Sequence, residues 1–151
     1  MSIVCTLSNH FKYQKNAGKI DLTNGSPAGD TFKIILMNTT FAFDKDAHAT
    51  LADVISSPSP ELETGYGYTQ QNKELTGGEL TEDDANDKAT RTFDDVTWTA
   101  SGGDIGPTGA AIIYDDTTDD DTVVGCIDFG ADYTIPNGSS FQLQDITIDD
   151  A

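Results

Sequence analysis

The chain has 151 residues, a length that suits one domain able to bury a core without help from a metal or a disulfide framework. It carries 26 acidic residues against 8 basic ones, a net charge of −18. Such a surface repels phosphate backbones and anionic lipids, so neither nucleic acid nor a membrane is expected as a partner, while solubility at high local concentration is favoured.

In chain order, Met1–Leu7 lacks the basic flank and apolar length of a signal peptide, and no run reaches membrane-spanning length, so folding in a cytoplasm is expected. Residues 1–18 read as an N-terminal arm or short helix, and 19–151 as a single β-sandwich domain. Ser8 or Asn9 is placed to cap the helix and Gly18 to end it. The spacing of Ile3, Leu7 and Phe11 extends the helical reading backwards, against an extended arm as the competing form. Lys19–Leu22 alternates like a short strand, and the turn formers from Asn24 to Asp30 make a loop. Thr31–Asn38 is the clearest early strand. Phe32, Ile34 and Leu36 share one face, and Ile35 and Met37 make the other face apolar too, so the strand is expected at the centre of a sheet covered on both sides.

Asp46–Val54 reads as a helical turn stopped by Ser57-Pro58-Ser59-Pro60. Tyr66 and Tyr68 alternate with Gly65 and Gly67 as a strand, which a turn at Gln71-Asn72 leads into Lys73–Leu75; Gly77-Gly78 then breaks the pattern. Glu82–Asp87 is a charged loop. In Thr90–Thr99, Phe93 is out of phase with Val96 and Trp98, so a bulge at Asp94-Asp95 is expected to bring all three to one face. Ser101–Gly109 reads as a glycine-rich loop and Ala110–Tyr114 as a buried strand. Asp115–Asp121 is an acidic turn and Thr122–Phe129 the returning strand. Pro136-Asn137-Gly138 turns into a last strand with its own phase slip at Asp145. Seven to nine short strands without a βαβ pattern predict an all-β fold, a two-sheet antiparallel β-sandwich with the jelly roll as one form of it.

Chemistry-bearing patterns are sparse. His10 and His48 lie in no metal-ligand spacing, and His48 beside Asp46 reads as a surface or capping residue. Gly25-Ser26-Pro27-Ala28-Gly29 has its serine one place early for a nucleophile elbow, and Gly102–Gly109 lacks the lysine of a phosphate loop. The Asp115–Asp121 turn offers oxygens for a divalent ion without EF-hand spacing, and the question stays open at this point. Cys126 sits in an apolar run as a buried free thiol; Cys5 meets it only if the N-terminus folds back there. Trp98 reads as core. No catalytic residue, cofactor or metal is expected, and the chain reads as a non-enzyme.

Thr31–Asn38, Phe43–Thr50 with Asp53-Val54, Gly65–Tyr68, Asp94–Trp98 and Ile127–Gly130 come in an order that resembles a family of small proteins encoded among the virion structural genes of tailed bacteriophages. The similarity runs from about Phe11 to Ile148. The resemblance implies a virion component, most plausibly a homo-oligomeric capsid decoration or cement protein whose partner is the major capsid protein at the capsid surface. It carries no catalytic residues. The apolar segment Ile3, Val4, Leu7 and Phe11 is then the candidate partner interface, against plain packing on its own sandwich. The alternative is a tail- or fibre-associated glycan-binding module, for which Tyr66, Tyr68, Tyr114 and Trp98 are the available aromatics.

Overall fold

A computed structural model describes residues 2–24, 29–56 and 60–150. The turn formers at 25–28, with the serine of the elbow-like motif, and 57–59 of the Ser57–Pro60 stop lie outside the described residues, as do the side chains of Ile3 and Val4. The elements are β1 (Ser2–Val4), β2 (Thr6–Leu7), α1 (Asn9–Asn16), β3 (Phe32–Asn38), α2 (Leu51–Val54), β4 (Lys73–Leu75), β5 (Leu80–Asp83), β6 (Lys88–Thr92), β7 (Val96–Thr99), β8 (Ile105–Asp115), β9 (Val123–Ile135) and β10 (Ser140–Asp150).

They build the expected two-sheet sandwich. One sheet runs β1-β10-β6-β5, with β7 also paired to β10; the other runs β2-β9-β8-β3-β4. Pairing is antiparallel except for β1 on β10. β5 with β6 and β8 with β9 form local pairs within one sheet, while the chain changes sheet between β1 and β2, β4 and β5, β7 and β8, and β9 and β10.

β3 lies between β8 and β4, and its two apolar faces have two destinations. Phe32, Ile34 and Leu36 enter the core between the sheets with Trp98, Ile113, Leu143 and Ile146. Ile35 and Met37 face outward into a second cluster with Leu51, Val54, Ile112 and Tyr114, which Phe41, Phe43 and Ile55 cover. The double-sided hydrophobic pattern follows from this burial on both faces.

The two phase slips face each other. Leu143 pairs with Val96 and Thr147 with Thr92, so residues 93–95 lie opposite 144–146. Phe93, Val96 and Trp98 on one strand, and Leu143, Ile146 and Ile148 on the other, all reach the core because both strands change phase at the same level. Asp145 makes its slip with a left-handed φ of 54°.

Helix α1 starts at its expected cap: the Ser8 hydroxyl accepts the Phe11 N–H at 3.0 Å and donates to the Val123 carbonyl at 2.5 Å, pinning the helix to β9. Gly18 follows the helix with φ +73°. The helix does not begin earlier, because Thr6 and Leu7 pair with Cys126 and Gly125 as β2; strand pairing overrides the helical spacing. Residues 2–16 thus give a strand to each sheet as well as the helix.

Lys19–Leu22 is extended but joins no ladder. Its partners are local or side chains: Asp21 N–H donates to the Asp30 carboxylate at 3.0 Å, and the Leu22 carbonyl accepts from Arg91 Nε at 2.8 Å. Glu82–Asp87 is half strand, since β5 runs through Asp83 before the turn, and β8 already begins at Ile105 inside the glycine-rich stretch.

Cys5 and Cys126 are both buried free thiols. The N-terminus does fold back, yet Thr6 is the residue opposite Cys126, so Cys5 points to the other face of the sheet. Cys5 belongs to the central core and Cys126 to the outer cluster. Burial pushes the Cys126 thiol up to about 12, with Asp128 adding to the shift, and burial raises Cys5 further. Both thiols are therefore expected to stay unreactive towards a thiol-specific disulfide reagent at neutral pH until the domain unfolds; rapid labelling of the native protein would contradict this packing.

Candidate functional site

The proposed interface residues do not form one exposed patch. Leu7 is half-buried against the central core, Phe11 is 0% exposed within it, and the backbones of Ile3 and Val4 pair with Ile146 and Thr147. Helix α1 instead presents Tyr13, 67% exposed, stacked beside His10.

Three of the four candidate glycan aromatics are core. Trp98, Tyr68 and Tyr114 are all buried. Tyr66 is 57% exposed and belongs to no strand. Gly65 and Tyr68 exchange both backbone hydrogen bonds, at 2.8 and 3.0 Å, closing a tight turn in which Tyr66 has φ +56°. The alternation of Gly and Tyr therefore reports turn geometry rather than a strand.

The turn is anchored from below. The Tyr68 hydroxyl accepts the Leu36 N–H of β3 at 2.9 Å and donates to Glu61 Oε1 at 2.9 Å. Glu61 is itself buried and also accepts Gln71 N–H at 3.0 Å and Gln71 Nε2 at 3.1 Å. Burial, then the Glu61 carboxyl, raise the Tyr68 phenol well above its ordinary range, so it stays a donor. From above, Ser101 N–H donates to the Tyr66 carbonyl at 2.9 Å, and a Cβ on Gly103 would lie only 2.6 Å from the Tyr66 ring. The ring thus rests on a bare glycine backbone.

Beside it opens a cleft of about 410 Å³, walled by Asn38, Glu63, Thr64, Asp104 and Pro107. One Asp104 oxygen accepts Asn137 N–H at 2.8 Å, which fixes the carboxylate at the cleft. A second hollow of about 600 Å³ lies on the outer face of the β2-β9-β8-β3-β4 sheet, between Phe41, Phe43 and the irregular stretch Asp128–Asp132 of β9.

The acidic turn after β8 is held by its own side chains: Thr117 N–H donates to Asp115 Oδ1 at 2.9 Å and Thr122 Oγ1 to Asp120 Oδ1 at 2.6 Å. His10 Nε2 lies 2.8 Å from Asp120, and Lys33 3.1 Å from Asp116. Among the described residues, no three carboxylate, histidine or cysteine side chains converge as a metal cage. His48 accepts Asp44 N–H at 2.9 Å and stacks on Phe41, the capping role its neighbourhood suggested.

Asp115 is 0% exposed, and among the described residues nothing donates to its Oδ2. Burial first, then Asp30 beside it, hold its carboxyl well above the usual carboxylate range. Protonation removes the charge that burial and the neighbouring Asp30 both oppose. The sign follows: the folded state keeps a proton that the unfolded chain loses above the ordinary value of 3.8, so this contribution to stability is complete below that value and is lost as pH rises through the raised one. Between the two values the slope reaches about −1.4 kcal/mol per pH unit. Asp115→Asn mimics the uncharged form and keeps an acceptor for the Thr117 N–H. Calorimetry from about pH 5 to about pH 8 should show a flatter stability profile than wild type and a higher Tm at the alkaline end. An unchanged slope would mean that Asp115 does not hold that proton.

Comparison with protein-family models, with curated proteins and with solved structures finds no match to this chain.

Proposed function

We propose that this chain is a structural protein of a bacteriophage virion, most specifically a capsid decoration protein that binds the outside of the head shell. What carries the reading is the resemblance of the ordered motif set to a family encoded among the virion structural genes of tailed bacteriophages. The motifs fall on β3, on the segment leading into α2, on the Tyr66 turn, on the shared phase slip leading into β7, and on β9. Two general features support it. A −18 surface keeps many copies, and whole particles, from associating. A long β10 that pairs with β1, β6 and β7 ties one sheet of the sandwich together, which suits a static structural part. The partner is the major capsid protein, and many weak contacts repeated with shell symmetry supply the strength. Because Phe11 is committed to the core, the shell contact uses other groups, with Tyr13 the aromatic side chain that α1 offers.

Sedimenting the purified protein with shells assembled from the major capsid protein alone tests this. Saturable binding at a fixed ratio per shell subunit, with increased resistance of the shell to heat, is the expected result. Protein that stays in the supernatant at saturating concentration overturns the reading.

A further inference from the structure

We infer that the Tyr66 cleft is a binding site for a neutral saccharide. Three observations meet there. First, a large aromatic side chain is held out in solvent by a backbone conformation that costs about 1–2 kcal/mol for a residue with a Cβ, and Gly or Asn would relieve it. A ring in the core would recover that cost through packing; this one, 57% exposed and lying against Gly103, recovers less. Second, the perch is rigidly built. Buried Glu61 and Tyr68 tie the turn to β3. A Cβ on Gly67 would lie 2.1 Å from the Thr99 carbonyl, so the chain has to pass there as glycine. Third, the cleft beside the ring is lined by acceptors and small polar groups, namely Glu63, Asp104, Asn38 and Thr64.

This set of groups selects the ligand. An aromatic face packs against the C–H face of a sugar ring, and carboxylates accept from its hydroxyls at the edge. Acidic sugars and nucleotides are disfavoured by Glu63 and Asp104 and by the −18 field, although a base would stack equally well on the ring. The site does not depend on the virion role: a shell-bound protein with such a cleft displays it in many copies, so that weak single contacts sum to useful avidity.

The test is saturation-transfer NMR on the purified protein against neutral gluco-, galacto-, manno- and N-acetylglucosamine oligosaccharides, with polygalacturonate oligomers and a dinucleotide as charged controls. At least one neutral oligosaccharide should bind, with the strongest transfer to its ring C–H protons. Tyr66→Asn should weaken that binding at least about tenfold while leaving Tm unchanged or raised, because Asn tolerates the left-handed φ. Asp104→Asn should weaken it less. Failure of every neutral probe, equal binding by the Tyr66→Asn variant, or preference for the charged controls would overturn the assignment. A drop in Tm for Tyr66→Asn would show that the ring serves folding instead.

Discussion

Glu61→Ala is expected to lower the unfolding free energy by about 3 kcal/mol or more, a large share of what holds a domain of this size. The substitution strands three donors at once: the Tyr68 hydroxyl, the Gln71 N–H and Gln71 Nε2. Glu61 and Tyr68 are both buried, so the phenol loses its partner away from water, while the Gln71 donors are half-buried and lose less. Leu62 N–H donates to the Leu36 carbonyl and Asn38 N–H to the Pro60 carbonyl, so this segment rides on β3, and loosening Glu61 loosens the Tyr66 turn with it. Tyr68→Phe is the milder partner, at about 1–3 kcal/mol, since it removes the acceptor of Leu36 N–H while keeping the ring. Urea unfolding monitored by Trp98 fluorescence measures both. A loss below about 1 kcal/mol for Glu61→Ala would mean that water replaces the carboxyl and that the anchor is not dry.

Phe11→Ala is expected to cost about 3–5 kcal/mol, the range for truncating a fully buried aromatic side chain. The ring packs in the central core from a helix whose cap is bonded to β9, so the cavity has little room to collapse. This is where the two readings of the N-terminal segment part. A docking arm would tolerate Phe11→Ala with Tm unchanged and lose only partner binding. A segment built into the sandwich loses stability first. Equal Tm values by calorimetry for wild type and Phe11→Ala would restore the arm.

Much of the framework was legible because it depends on local periodicity. The apolar run of β3 announced a strand covered on both faces, and the out-of-phase Phe93 announced a slip. The slip at Asp145 was legible too, but not that it faces the first one, because periodicity within one strand carries no register. Lys19–Leu22 misled since alternation shows only that Ile20 and Leu22 turn one way; whether a neighbour offers a ladder is decided elsewhere, here by Arg91 taking the Leu22 carbonyl. Ile3, Leu7 and Phe11 misled for a related reason: helical spacing also fits side chains from a strand and a helix that meet the same core.

The candidate site was legible only in part. Tyr66 stood out as an aromatic between glycines, yet nothing local separated it from Tyr68, two residues on. The difference is made by Leu36 and Glu61, which capture the Tyr68 hydroxyl across the fold. Likewise the acidic turn was visible as a run of aspartates, while the burial of Asp115 and its apposition to Asp30 come from the pairing of Phe32 with Asp115 at the end of β3.

The proposed decoration role requires that a phage encode this chain, and it is tested most directly by cryo-electron microscopy of that phage's virions, compared with virions lacking the gene. The account predicts regular density for one acidic β-sandwich repeated over the outer capsid lattice, absent from the mutant particles. Difference density confined to the tail, or none on the particle at all, would contradict it.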